Sequence, residues 1–175
     1  RTGAPDACQG CHADRPAGWA EAAIEQRHGP RHRPEHYGEI IAAARSGEPG
    51  AGARLAALAA DPRQNAIVRA TAVETLAGLG GRPPDAAYGD TDPVVRATAA
   101  AALATRPPAE RLTHLPALLA DPLRAVRIAA ARGLAGLPDE MLSAAQLALR
   151  RRAVRACVAG VFADEQRLRE ASHRQ

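Results

Sequence analysis

Val68-Arg69-Ala70-Thr71-Ala72-Val73-Glu74-Thr75-Leu76 recurs twice downstream. It returns as Val95-Arg96-Ala97-Thr98-Ala99-Ala100-Ala101-Ala102-Leu103 and as Val126-Arg127-Ile128-Ala129-Ala130-Ala131-Arg132-Gly133-Leu134. A weaker fourth copy is Val154-Arg155-Ala156-Cys157-Val158-Ala159-Gly160-Val161-Phe162. The arginines follow one another at intervals of 27, 31 and 28 residues. Repetition of this kind marks an array of supersecondary units. In each copy the first, fifth and ninth residues are apolar or small, so they form one stripe along a helix. Asp-Pro precedes the first three copies, as Asp61-Pro62, Asp92-Pro93 and Asp121-Pro122. Aspartate caps a helix start and proline tolerates the first turn, so the pair predicts where these helices begin. Apolar helical stretches precede most copies: Leu55 to Ala60, Leu112 to Ala120 and Leu142 to Leu149. Each unit is then a helix pair that cannot bury its face alone and must stack on its neighbours. The expected fold is all-α, with an α-solenoid of about four helix pairs over residues 51–163 and a helical tail over 164–175.

Composition agrees. Hydrophobic residues make up 46% of the 175, yet aromatics make up only 2% (Trp19, Tyr37, Tyr88 and Phe162). Alanine is about a quarter of the chain. Small side chains let helices approach closely, whereas a β-sandwich or barrel draws on β-branched and aromatic residues. Every one of the 23 basic residues is arginine, and the net charge is +4. Basic clusters occur at Arg27 to Arg33 and at Arg150-Arg151-Arg152 with Arg155, without interleaved aromatics. They read as solvated faces, and no nucleic-acid platform is expected. No apolar run approaches the ~18–20 residues of a membrane span.

The Asp-Pro…Val-Arg…Ala…Leu pattern resembles HEAT repeats of the short kind, over about residues 51–163. Two departures stand out. Residues 80–90 are too short for a full first helix, and the distance from Asp-Pro to Arg varies. In HEAT families the recurring Asp and Arg form a ladder between neighbouring repeats. The resemblance therefore implies structural roles for Arg69, Arg96, Arg127, Asp92 and Asp121. Cys157 falls where the other copies have Thr71, Thr98 and Ala129, which predicts a buried small side chain.

Residues 1–50 are a different case. They hold two of the three cysteines, four of the six histidines and several Gly/Pro breaks. A helix of roughly 16–27 is expected, capped by Asp14 with Pro16 in its first turn and with Trp19, Ala23 and Ile24 on one side. A loop through His28 to His36 follows, then a helix of about 36–46 carrying Ile40 and Ile41, and a Gly47-Glu48-Pro49-Gly50 linker. Too few bulky apolar residues are present for an independent core.

Cys8-Gln9-Gly10-Cys11-His12 is a C-x-x-C-H motif. Two thiols on a short turn can form thioethers with the vinyl groups of haem, and the adjacent imidazole can reach the iron. The stretch Gly3 to Arg15, followed by Trp19, resembles the last haem-binding segment of multihaem c-type cytochromes related to the cytochrome c554 group. Some bacterial members of that kind carry HEAT repeats after their haem motifs. The resemblance implies covalent haem c on Cys8 and Cys11, with His12 as proximal iron ligand. It also places a His-aromatic-small element after the motif, which makes His36 the candidate distal ligand, ahead of His28 and His32. Met141, the only methionine, is remote in sequence, and His114 and His173 are expected on helix surfaces.

The function that follows is electron transfer, with the repeats positioning the haem against a redox protein partner or neighbouring haems of a parent protein. Arg1-Thr2-Gly3-Ala4-Pro5 reads as mid-chain sequence, which suggests a fragment of a larger multihaem cytochrome. Haem c attachment implies a periplasmic or otherwise extracytoplasmic location. Two alternatives stand beside it. One is a HEAT-repeat interaction scaffold without functional haem. The other is a zinc site of Cys8, Cys11, His28 and His32, although its central gap of 16 residues exceeds the usual ~12–15 and Pro30 lies between the histidines. No catalytic triad, phosphate loop or useful carboxylate pair appears, so autonomous catalysis is not expected.

Overall fold

Helix-period, alanine-rich sequence folds into helices throughout. The computed structural model describes residues 7–30 and 35–172, with side chains through residue 159. Among them are eight α-helices and no strand. They are α1 (Trp19–His28), α2 (Tyr37–Arg45), α3 (Ala51–Ala60), α4 (Ala66–Gly78), α5 (Pro93–Ala102), α6 (Pro108–Leu118), α7 (Arg124–Gly133) and α8 (Ala144–Ser172). Short 3-10 turns lie at Ala7–Gly10, Asp85–Gly89 and Asp139–Met141. The protein is all-α. It forms two compact units, Arg1–Ala51 and Gly52–Gln175.

In the second unit α4 packs on α5, α5 on α7 and α7 on α8, while α6 covers α7 and the Asp85–Gly89 turn lies on α5. The repeated stripe is the core. Val68, Ala72 and Leu76 on α4 are buried, as are Val95, Ala99 and Leu103 along α5 and Val126, Ala130 and Leu134 along α7. Each fully buried Val or Leu contributes about 1.5–3 kcal/mol. Gly133 sits where a Cβ would come within 2.6 Å of Leu115 Cδ1 and 3.3 Å of the Ala100 carbonyl oxygen, so α7 approaches its neighbours closely at that point.

The expected four helix pairs are not all present. Leu142 to Leu149 and the fourth copy do not fold as two helices but lie mostly along the single helix α8, which also runs through the expected boundary at 163/164 as far as Ser172. The physical reason is a missing break. The first three copies carry Asp-Pro ahead of the stripe, whereas the fourth carries Arg150-Arg151-Arg152, which is helix-compatible. The register differs too. Val154 and Val158 are 47% and 49% exposed, and Ala153 is the buried neighbour. Cys157 is half-buried rather than buried. Phe162 lies outside the described side chains. Residues 80–90 supply the Asp85–Gly89 3-10 turn in place of a first helix.

Asp-Pro starts only one helix directly. Asp92 is the N-cap of α5, accepting the Val94 N–H at 2.8 Å, with Pro93 in the first turn. Asp61 and Asp121 also accept the N–H two residues on, Arg63 at 3.0 Å and Leu123 at 2.8 Å, but α4 and α7 begin later, at Ala66 and Arg124. They make turns that lead into a helix.

In the first unit α1 has no buried residue. Its N-cap is Gly18 at φ 85°, with no side-chain cap. Asp14 therefore does not cap it and lies 3.5 Å from Arg15 instead. The left-handed backbone at Gly18 delays the helix to Trp19. Helix α2 buries Ile41 and Ala44.

Candidate functional site

The Cys8–His12 turn is set by its backbone. The Cys8 carbonyl accepts from the N–H of Cys11 at 3.2 Å and of His12 at 2.9 Å, which closes the Ala7–Gly10 3-10 turn. Cys8 and Cys11 are both exposed and no disulfide joins them. His12 is exposed as well, and its ring lies 4.9 Å from that of half-buried Trp19, tilted by 51°. Arg15 also lies over Trp19, with its guanidinium carbon 5.3 Å from the ring centroid. Two thiols and one imidazole thus share one short turn. Their chemistry fits covalent haem attachment: soft nucleophiles at the i and i+3 positions and a nitrogen ligand immediately beyond.

His36 is placed differently. It is the N-cap of α2: its Nδ1 accepts the Gly38 N–H at 3.1 Å, and its own N–H donates to Glu39 Oε2 at 3.3 Å. The Tyr37 ring lies 4.0 Å away. A ring nitrogen that accepts carries no proton, so the neutral ring is protonated at Nε2. Metal ligation through Nε2 requires the opposite tautomer, with the proton on Nδ1. Capping through Nδ1 and ligation through Nε2 therefore exclude each other.

The structure does not bring these residues into one metal centre. Among the described residues no group of three or more His, Cys, Asp or Glu side chains gathers in a way that could hold an ion. His28 is the last residue of α1 and is exposed. His32 and His173 lie outside the described residues. Met141 is exposed. His114 is not a plain surface residue. It stacks on Tyr88 at 4.0 Å and 13°, with Arg82 Nη2 at 3.2 Å from its Nε2. Tyr88 is buried, its hydroxyl has no hydrogen-bond partner among the described residues, and burial pushes its pKa up to about 12.

The second constellation is the arginine ladder. Arg69 Nε and Nη2 donate to Asp90 at 2.8 and 2.7 Å, and Arg96 Nε and Nη2 donate to Asp121 at 2.7 and 3.1 Å. Each arginine holds its carboxylate below the usual range, against an opposing push from burial. The acid of the first rung is Asp90, not Asp92. Asp90 and Asp121 are equivalent in place: each accepts the N–H two residues on, and each carbonyl accepts from the arginine six residues on. Asp92 follows the Asp-Pro spelling but spends its carboxylate on the α5 cap. The basic run is not simply solvated either. Arg150 donates to Asp139 and to the Leu134 and Leu137 carbonyls. Sequence reasoning passed over Asp90, although Asp90-Thr91-Asp92 offered two acids where the other copies have one.

No helix among the described residues is long and apolar enough to cross a membrane. No family model matches the chain, and no curated protein or solved structure matches it.

Proposed function

We propose that residues 1–50 hold haem c covalently through Cys8 and Cys11, with His12 as proximal iron ligand and His36 as candidate distal ligand, and that the chain serves electron transfer. The observation that carries this reading is the exposed Cys8–Cys11–His12 turn. When bound, haem supplies a one-electron iron couple tuned by axial ligation and exposure. The chain's part is to fix the thiol spacing through the Cys8 carbonyl and to steer the His12 ring against Trp19. The described core of the first unit is small: Ile41, Ala44 and Ala51. Ile24 and Tyr37 stand 49% and 40% exposed, apolar surface that a large flat group can cover. For His36 to ligate through Nε2 it must release the Gly38 N–H.

In this reading the repeats over 51–163 are a HEAT-like α-solenoid that meets a redox protein or neighbouring haems of a larger multihaem cytochrome. The location is periplasmic or otherwise extracytoplasmic, because haem c is attached there. The test is co-expression with a cytochrome c maturation system. A covalent haem band with a low-spin spectrum supports the proposal. A colourless product that co-purifies with stoichiometric zinc overturns it.

A second reading, a scaffold without functional haem, draws on the ladder, which stiffens the second unit independently of the first. It predicts that Cys8→Ala leaves partner binding intact.

A further inference from the structure

The ladder ends on an open fork. Each ladder arginine has two working edges. Nη1 closes on carbonyls of the preceding turn: Arg69 on Gln64, Arg96 on Asp90 and Thr91 at 2.7 and 3.1 Å, and Arg127 on Asp121 and Pro122 at 2.7 and 2.8 Å. The Nε/Nη2 edge takes the carboxylate of the next turn, Asp90 for Arg69 and Asp121 for Arg96. Arg127 repeats the first arrangement but not the second. Among the described residues no carboxylate meets its Nε/Nη2 edge.

The reason lies in the sequence. The two rungs reach forward 21 and 25 residues. The same reach from Arg127 covers Ala148-Leu149-Arg150-Arg151-Arg152, which contains no acid. Arg150 and Arg151 turn to Asp139. Arg152 is exposed and has no hydrogen-bond partner among the described residues. Arg127 and Arg152 line one groove of about 310 Å³, walled by Leu119, Leu149 and Ala153. Asp121 also borders it, but both its oxygens are engaged by Arg96. Arg127 and Arg152 therefore line a partly apolar groove whose one acid, Asp121, lies close enough to feel the Arg127 charge but has its carboxylate gripped by Arg96.

We infer that this groove docks a side-chain carboxylate of a partner protein, which completes the third rung in trans. The two rungs within the chain show the chemistry: a guanidinium fork pre-set by its carbonyl bonds grips both oxygens of an acid, and such bidentate pairs are the strong, directional ones. Arg152 adds charge that attracts the acid, and the apolar walls lower the local dielectric around the pair. This inference does not depend on the haem reading.

The test uses the full chain, whether haem-loaded or not, labelled with 15N, and follows arginine Nε–H signals by NMR at fixed ionic strength. The probes are the capped peptides acetyl-Ala-Asp-Ala-amide and acetyl-Ala-Asn-Ala-amide. The Arg127 signal should move saturably with the Asp peptide, with affinity about tenfold or more above that for the Asn peptide. Arg152→Gln removes a side chain with no described bond, so the fold is retained and the affinity for the Asp peptide falls severalfold. Arg127→Lys keeps the charge but loses the fork, and should weaken binding further. Equal response to both peptides overturns the proposal, as does undiminished binding in both variants. Inorganic phosphate or free succinate binding as tightly as the Asp peptide overturns it too, since the groove is then a general anion site.

Discussion

Arg96 holds Asp121 through two bonds, Nε to Oδ2 at 2.7 Å and Nη2 to Oδ1 at 3.1 Å, with only 13% and 5% of the two side chains exposed. The pair ties α5 to the turn that launches α7. Asp121 also accepts the Leu123 N–H, so its lone pairs are well used. A buried, well-bonded pair is costly to break because the surviving charge is left uncompensated. Asp121→Asn should therefore destabilise the second unit by about 3 kcal/mol. The measurement is the urea midpoint at constant m. A loss under about 1 kcal/mol would mean that this rung is not what joins the two elements.

The same rungs set an acid limit. Asp90 and Asp121 have folded pKa values lowered from 3.8, mainly by the hydrogen bonds from Arg69 and Arg96. The folded state thus binds fewer protons than the unfolded chain as pH falls through the unfolded value. Their stabilisation is complete well above 3.8 and is lost progressively below it, as pH drops through the lowered folded values. Urea midpoints should be flat from pH 7 to about 5 and fall below about 4. The Asp90→Asn, Asp121→Asn double variant should start lower and show a shallower fall. An equally steep acid limb in that variant would point to other carboxylates.

Gly133 and Gly78 should respond oppositely to alanine. A Cβ at Gly133 meets Leu115 Cδ1 at 2.6 Å and the Ala100 carbonyl at 3.3 Å, and that backbone oxygen cannot move far. Overpacking costs about 1–3 kcal/mol, which outweighs alanine's helix advantage of about 1 kcal/mol. At Gly78 nothing lies within 4 Å, so the advantage remains. Thermal melts of the two variants check this, with Gly133→Ala lower and Gly78→Ala slightly higher than the parent.

The cap at His36 and the distal ligation proposed for it can be tested apart with two substitutions. Asparagine is a good N-cap and alanine a poor one. Without haem, His36→Asn should keep the helicity of α2, whereas His36→Ala should cost about 1 kcal/mol. In haem-loaded protein both should turn a low-spin spectrum high-spin, because neither side chain replaces the imidazole. An unchanged spectrum would remove His36 as distal ligand and leave it the cap described by its bond to Gly38.

Much of the helix content was legible because its signals are local. The stripe Val95, Ala99, Leu103 needs only the helical period to be read, and these residues are fully buried. The turn at Cys8–His12 was likewise written in adjacent residues. The fourth copy misled because Val154-Arg155 looks like Val126-Arg127, yet nothing ahead of it breaks the helix. Asp92 misled because Asp-Pro is a spelling, while a rung depends on which acid reaches a guanidinium 21 or 25 residues away in the chain. His36 illustrates a third kind of gap, since the sequence offers a histidine but not the tautomer its cap imposes.

The sequence by itself determined that the chain is helical, where its first three stripes run, and that two thiols and an imidazole share one short turn. These follow from periodicity, propensity and covalent proximity, which act over a few residues. Only the tertiary structure decided that Asp90 rather than Asp92 completes the first rung, that Ala153 rather than Val154 is the buried residue of α8, and that Arg127 ends the ladder beside Arg152 with no acid on its Nε/Nη2 edge among the described residues. Those outcomes depend on how helices stack. Stacking brings together charges that are distant in sequence, and at the last rung it places Arg127 and Arg152 along one groove.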